Sequence, residues 1–173
     1  MKRTSTFVSF LLLSCCSFLQ LTQSSTNDLV DDICKKSPNL GECRAIVLSN
    51  PQATKYDIVA KMVNDILARA TKRLIYAQRF AIETKDIELR QKFVSCAKTY
   101  GSLVDYYIRS IIDFTNQKRY ELVGEKLIFI KGEIGRCNRQ IKNSTGRGSI
   151  SLSALNKKLQ RFIDIAVAIV KQL

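Results

Sequence analysis

Between Val123 and Ile141 an apolar stripe runs through Val123, Leu127, Ile130, Ile134, Cys137 and Ile141, alternating steps of four and three. Such steps place side chains on one face of an α-helix and do not fit the two-residue period of a strand. The same pattern recurs three more times. Ile58, Met62, Ile66, Ala70, Leu74 and Ala77 form one stripe, with Val59, Val63 and Leu67 beside it. Leu89, Phe93, Cys96, Tyr100, Leu103, Tyr107 and Ile111 form a second, and Leu152, Leu155, Leu159, Phe162, Ala166, Ile169 and Leu173 a third. Each stripe is long enough for four or more turns of amphipathic helix. Only 7 glycines and 2 prolines interrupt the chain.

The connections near 84–87 and 115–119 are short, which makes successive helices antiparallel neighbours. The stretch 143–150, "NSTGRGSI", reads as a longer glycine-containing loop. The expected fold is all-α: an up-down four-helix bundle. Ahead of it, Asp28 to Lys36 reads as a short helix stopped by Ser37-Pro38, and Cys43 to Leu48 as a second stopped by Asn50-Pro51. Asp31 and Asp32 are acids in the first turn of the former, where the helix dipole favours negative charge.

The N-terminus has the marks of a secretory leader. Lys2 and Arg3 precede an uncharged stretch from Phe7 to Leu21, and small polar residues follow. Residues 1–25 are therefore expected to be a signal peptide, cut near Ser24 or Ser25, with 26–173 as one domain. The apolar stretch is too short for a membrane anchor, and so is the C-terminal "IDIAVAIV". Cys15 and Cys16 leave with the leader. Cys34, Cys43, Cys96 and Cys137 remain, an even number on an oxidising route, which points to two disulfides. Four cysteines allow three pairings. The Ser-Pro-Asn-Leu-Gly turn makes Cys34–Cys43 the easiest to close, which leaves Cys96 with Cys137. The chain-entropy contributions are roughly 2.7 kcal/mol for the short loop and roughly 3.9 kcal/mol for the long one. The first link would staple two helices too short to be stable alone, giving an N-terminal disulfide-linked helical hairpin. A zinc site would need an irregular four-cysteine arrangement, because the chain has no histidine and no Cys-x-x-Cys.

The formal net charge is +13, or +11 once Lys2 and Arg3 are removed. A balance of this kind favours acidic partners. The secretory route argues against nucleic acid, and the dispersal of the bases fits a solvated helix exterior. The sequence has no nucleophile motif, no phosphate-cradling glycine loop and no metal-ligand cluster. Acid–base chemistry near neutral pH would need a histidine or a strongly shifted group. The expectation is a non-enzyme with no catalytic, cofactor-binding or metal-binding residues, and without a cofactor. Asn143-Ser144-Thr145 is a glycosylation sequon.

The cysteine spacing, taken with the motifs around it, resembles the plant family of invertase and pectin methylesterase inhibitors. "LVDDICKKSPNLGEC" is similar to the family's opening hairpin with its first two cysteines. "CAKTYGSLVDYY" resembles the third cysteine and its following tyrosine, here Tyr100. Tyr120, Leu127 and Cys137 follow the spacing up to the fourth cysteine. "LQRFIDIAVAIVKQL" resembles the C-terminal helix. The resemblance covers the whole mature chain, residues 26–173.

It implies a secreted protein of the apoplast, or of the vacuole, that binds a plant cell-wall enzyme and blocks its substrate cleft. Pectin methylesterase is the preferred target and invertase the alternative. A third reading is a wall-binding member held on anionic pectin by its charge. No nucleic-acid or membrane partner is expected. Two departures stand out. Where the family carries small residues after the leucine matching Leu127, this chain has Ile128, Phe129 and Ile130, so the third and fourth helices pack differently or expose an extra apolar face. Where invertase inhibitors often carry Pro-Lys-Phe, this chain has Lys118, Arg119 and Tyr120. That segment is either a partner-binding probe or a helix start whose tyrosine lids the bundle.

Overall fold

A computed structural model describes residues 30–173. The expected leader, its cleavage site, Cys15 and Cys16 lie outside the described residues. The described chain opens with a helical turn at 30–34, and α1 (Leu40–Leu48) follows. Cys34 is bonded to Cys43 across the Ser37-Pro38 turn, with 5.8 Å between their Cα atoms. α1 begins three residues earlier than the apolar pattern indicates. Asn39 is its cap: the side-chain oxygen accepts from the Glu42 amide at 3.3 Å, and its Nδ2 donates to the Glu42 carboxylate at 3.0 Å.

The long helices follow. α2 (Lys55–Glu83) starts at a capping box in which Thr54 Oγ1 accepts from the Asp57 amide and Asp57 Oδ2 accepts from the Thr54 amide. The Thr54 hydroxyl also donates to Asp57 Oδ2 at 2.6 Å, and this bond first, then the one from the Thr54 amide, holds the Asp57 carboxyl below its usual pKa. α3 (Ile87–Ser102) is capped by Asp86, which accepts from the Leu89 amide at 3.1 Å. A π-helical turn, Leu103–Tyr107, connects α3 directly to α4 (Ile108–Asn116). The second long stripe is thus one rod with an extra residue in its middle. That insertion shifts the register, so Ile108 rather than Tyr107 enters the core, and Tyr107 turns out toward α5. α5 (Tyr120–Ile141) and α6 (Arg147–Val170) complete the set.

Helix α2 lies beside α3–α4 and α6, and α5 lies beside α3–α4 and α6. Four rods of alternating direction therefore enclose one core, an up-down-up-down bundle. One end of the bundle holds residues near 55, 116–120 and 170–173. The other holds 83–87 and 142–146. The N-terminal hairpin sits at the first end, where Gln172 Nε2 donates to the Ile33 carbonyl at 2.8 Å. Ile33 and Cys34 belong to the same core as the last turns of α6, which is why the run from Ile165 to Val170 is buried on all sides. Among the described residues no helix is long and apolar enough to cross a membrane, and no group of side chains is arranged to hold a metal ion.

A buried polar knot ties the four rods at one level. Cys96 of α3 is bonded to Cys137 of α5. Tyr100, fully buried, donates to Asn156 Oδ1 at 2.6 Å, and Asn156 Nδ2 lies 3.5 Å from Cys137 Sγ. Arg73 of α2, only 5% exposed, donates to the Leu155 carbonyl of α6 through Nε and Nη2. Burial pushes the Tyr100 hydroxyl well above its ordinary pKa, so it stays a donor at any physiological pH.

The loop expected over 143–150 is shorter, because α6 begins at Arg147. Ser149 Oγ lies 2.7 Å from the Gly146 carbonyl and 2.8 Å from that of Ser144, which ties the first turn to the loop. Gly148 serves close packing and not a turn: a Cβ there would lie 2.3 Å from Phe80 Cδ1. The Phe80 ring, partly buried, is itself packed between Tyr76, at 4.7 Å, and Phe93, at 5.5 Å. Gly132, on the exposed side of α5, has nothing within 4 Å of such an atom. The two glycines should therefore respond oppositely to the same change. Gly148→Ala should lower stability by about 1–3 kcal/mol through overpacking, and Gly132→Ala should raise it by about 0.5–1 kcal/mol through helix propensity. Thermal melts of the two variants check both signs.

Candidate functional site

The segment Lys118–Tyr120 lies in the tight connection from α4 to α5. Lys118 has φ 59°, the only positive φ among the described non-glycine residues. The Arg119 amide donates to the Phe114 carbonyl at 2.9 Å and the Lys118 amide to that of Thr115 at 3.0 Å. This is a Schellman ending with lysine where glycine usually stands. Arg119 and Tyr120 lie against neighbouring side chains, while Lys118 is exposed. Arg119 lies over the Phe114 ring, 5.2 Å from its centroid. Tyr120 is half-buried, with its ring 5.3 Å from that of Tyr56. Its hydroxyl pKa is raised, first by burial and then by Tyr56 and Asp57. An open groove of about 550 Å³ runs beside the segment, bounded on its far side by Leu173.

The hairpin sits at this same end. Asp32 accepts from Lys35 at 2.5 Å and from Lys55, at the start of α2, at 2.9 Å. Asp31 pairs with Arg44 of α1 at 2.7 Å. These acids, expected to serve their own helix dipole, serve mainly to clamp the hairpin. The bonds from Lys35 and then Lys55 hold the Asp32 carboxyl down to a pKa of about 2.

A second surface lies on the flank between α3 and α5. The bulky residues after Leu127 divide: Ile130 is fully buried, while Ile128 and Phe129 are 53% and 41% exposed. The extra apolar face exists. Phe129 packs on Tyr107 with ring centroids 4.7 Å apart, and Tyr106, which precedes Tyr107 in the chain, is 74% exposed. A groove of about 430 Å³ leads away from this pair, lined by Ser95, Lys98, Leu103 and Arg136 among others. The π turn in the second rod aims Tyr107 at Phe129. A spacing pattern cannot reveal such an insertion, so Tyr107 read as core.

Asn143 is exposed in the 142–146 connection, at the end of the bundle opposite Lys118–Tyr120. Cys34 with Cys43, and Cys96 with Cys137, are the two bonded pairs. Asn156 and Arg73 were not among the expected site residues. Their signal was a polar side chain on or beside an apolar stripe.

No family model matches the sequence, and no curated protein matches it. The fold has solved counterparts. A crystal structure of mutant form A of a pectin methylesterase inhibitor from Arabidopsis aligns with a TM-score of 0.73 at 18% identity, covering 83% of this chain and 96% of that one. The chain has the fold of that inhibitor. A second crystal structure, of a pectin methylesterase inhibitor from Arabidopsis thaliana, aligns with a TM-score of 0.63 at 17% identity over 84% of this chain and 96% of its own. Both likenesses span nearly the whole length of the solved inhibitors, so bundle and hairpin belong to one shared architecture.

Two outcomes follow from the geometry at the hairpin end. Lys118→Gly should raise stability by about 0.5–1 kcal/mol, since it relieves a left-handed lysine; a urea titration measures it. The folded-state pKa of Asp32 is depressed, so its contribution is complete above the unfolded pKa near 3.8 and is lost as pH falls toward about 2. Hairpin protection from proteolysis should therefore weaken over that window, and Asp32→Asn should remove this component of the pH dependence.

Proposed function

We propose that the chain is a secreted inhibitor of pectin methylesterase, with residues 1–25 as leader and 26–173 as the inhibitor domain, and that it acts by covering the enzyme's substrate cleft. The observation that carries this reading is the fold shared with two solved pectin methylesterase inhibitors. Two linked cysteine pairs suit an oxidising compartment, and the apoplast is the site where such a target would be met. A bundle tied by a buried knot and a disulfide presents a rigid surface, which lowers the ordering entropy lost on binding.

The flank between α3 and α5 is the surface best suited to the enzyme. It carries exposed aromatic side chains beside a groove lined by Lys98 and by the Arg136–Glu133 ion pair, and aromatic residues and arginine are enriched where protein interfaces concentrate their binding energy. Lys118, Arg119 and Tyr120 suit this role less well. Arg119 lies over Phe114 and Tyr120 packs against Tyr56, so the segment behaves as a lid on the bundle and not as a probe extended toward an invertase.

Purified protein should inhibit a pectin methylesterase as a one-to-one complex and leave an invertase active. Tyr106→Ala with Phe129→Ala should weaken that inhibition at least tenfold, about 1.4 kcal/mol or more, with little change in melting. Arg119→Ala with Tyr120→Ala should lower the melting temperature and leave the inhibition constant nearly unchanged. Inhibition of invertase that is lost in the second variant would reverse the assignment.

A further inference from the structure

The seam between α2 and α6 has an unusual charge distribution. The stretch 66–82 of α2 and the stretch 147–163 of α6 contain no aspartate or glutamate. The two helices run antiparallel with a register read from side-chain contacts. Phe80 meets Gly148, Arg73 reaches Leu155, and Arg69 lies over Phe162 at 4.1 Å. Helical periodicity along this register places Arg69 and Lys72 of α2, and Lys158 and Arg161 of α6, along the outer edges of the seam, with Arg73 at its floor. Lys72, Lys158 and Arg161 are exposed, and Arg69 is half-exposed. Some lysines and arginines on other faces of the described surface pair with acids, such as Lys61 with Asp65, Lys131 with Asp164 and Arg136 with Glu133, while others, such as Lys36, Lys126 and Lys142, do not. Among the described residues none of the five seam cations belongs to an ion pair.

We infer that this seam is a binding track for a linear carboxylate polymer, namely de-esterified pectin. A run of like charges along one straight seam raises the local concentration of a polyanion and releases its counterions on contact. The chemistry favours a polysaccharide over the other polyanions. Stacking of nucleobases needs open aromatic faces. Here Tyr76 is stacked on Phe80, and the Phe162 ring is covered by Arg69. An anionic membrane surface needs a broad apolar face beside the bases; the exposed large apolar side chains of these two stretches are three isoleucines, Ile75, Ile82 and Ile150, and the exposed aromatic pair Tyr106 and Phe129 belongs to other helices. The choice of pectin rests on the proposed pectin methylesterase target: hydrolysis of a pectin methyl ester leaves a carboxylate on the polymer. The track would retain the inhibitor where the enzyme has already acted, and it lies on a different helix pair from the flank assigned to the enzyme.

The test uses the full mature chain and immobilised polygalacturonate, with no enzyme present, so it stands or falls separately from the inhibition assays. Lys72→Gln, Lys158→Gln and Arg161→Gln together should weaken retention at least tenfold at low salt and flatten its salt dependence. Lys36→Gln, Lys126→Gln and Lys142→Gln together remove the same charge from other faces and should change retention by less than threefold. Highly methyl-esterified pectin should bind weakly. Equal losses in the two triple variants would overturn the track in favour of net charge alone. Tighter binding to single-stranded DNA or to phosphatidylserine vesicles than to polygalacturonate would overturn the assignment of the ligand.

Discussion

The hydrogen bond from Tyr100 to Asn156, made against the Cys96–Cys137 disulfide, is the constraint on which the rest of the bundle depends. Apolar stripes alone permit helices to slide past each other by a turn, since one leucine or isoleucine layer resembles the next. A buried hydroxyl and a buried amide do not permit it, because an unpaired polar group in the core costs about 1–3 kcal/mol. The disulfide fixes α3 to α5, Asn156 brings α6 to both, and Arg73 joins α2 to α6 at the adjacent residue, Leu155. Every rod is then in register at one level, and the surfaces above and below inherit that register.

The ends and faces of the bundle hold different chemistry as a result. The hairpin end is closed by ion pairs around Asp32 and by the Tyr56–Tyr120 contact. The opposite end carries Asn143 and the Gly148–Phe80 contact. One flank is aromatic and the α2–α6 seam is basic. At 17–18% identity the scaffold is shared, and function resides in the surface features a scaffold carries. The likeness shows the fold, while the aromatic flank and the basic seam shape the proposals about what is bound.

Most of the architecture was legible in the sequence, because period, caps and cysteine spacing are local signals. Four stripes at three- and four-residue steps gave the rods, and their short connections gave the alternating directions. Three features were not legible, each for a tertiary reason. The π turn at Leu103–Tyr107 adds one residue without breaking the helix, so Tyr107 changed faces unseen. α6 starts at Arg147, inside a stretch whose glycines read as loop, and Gly148 there serves a close approach to Phe80, a residue distant in sequence. The polar knot needs partners from four helices, and one sequence stretch shows only that Asn156 or Arg73 is out of place. At the site, Ile128 and Phe129 were legible as an extra apolar face. The fold-back of Arg119 and Tyr120 became clear only with Phe114 and Tyr56 beside them.

The central claim is that the buried polar bond sets the register and contributes through pairing, and a double-mutant cycle at Tyr100 and Asn156 tests it most directly. Tyr100→Phe, Asn156→Leu and the double variant would be unfolded in urea with the disulfides intact. Each single change leaves one buried polar partner unsatisfied and should cost about 1–3 kcal/mol. The double change should cost less than the two singles together by about 1 kcal/mol or more. Single costs that simply add, to within about 0.5 kcal/mol, would contradict the account and leave the register to apolar packing and the disulfide alone.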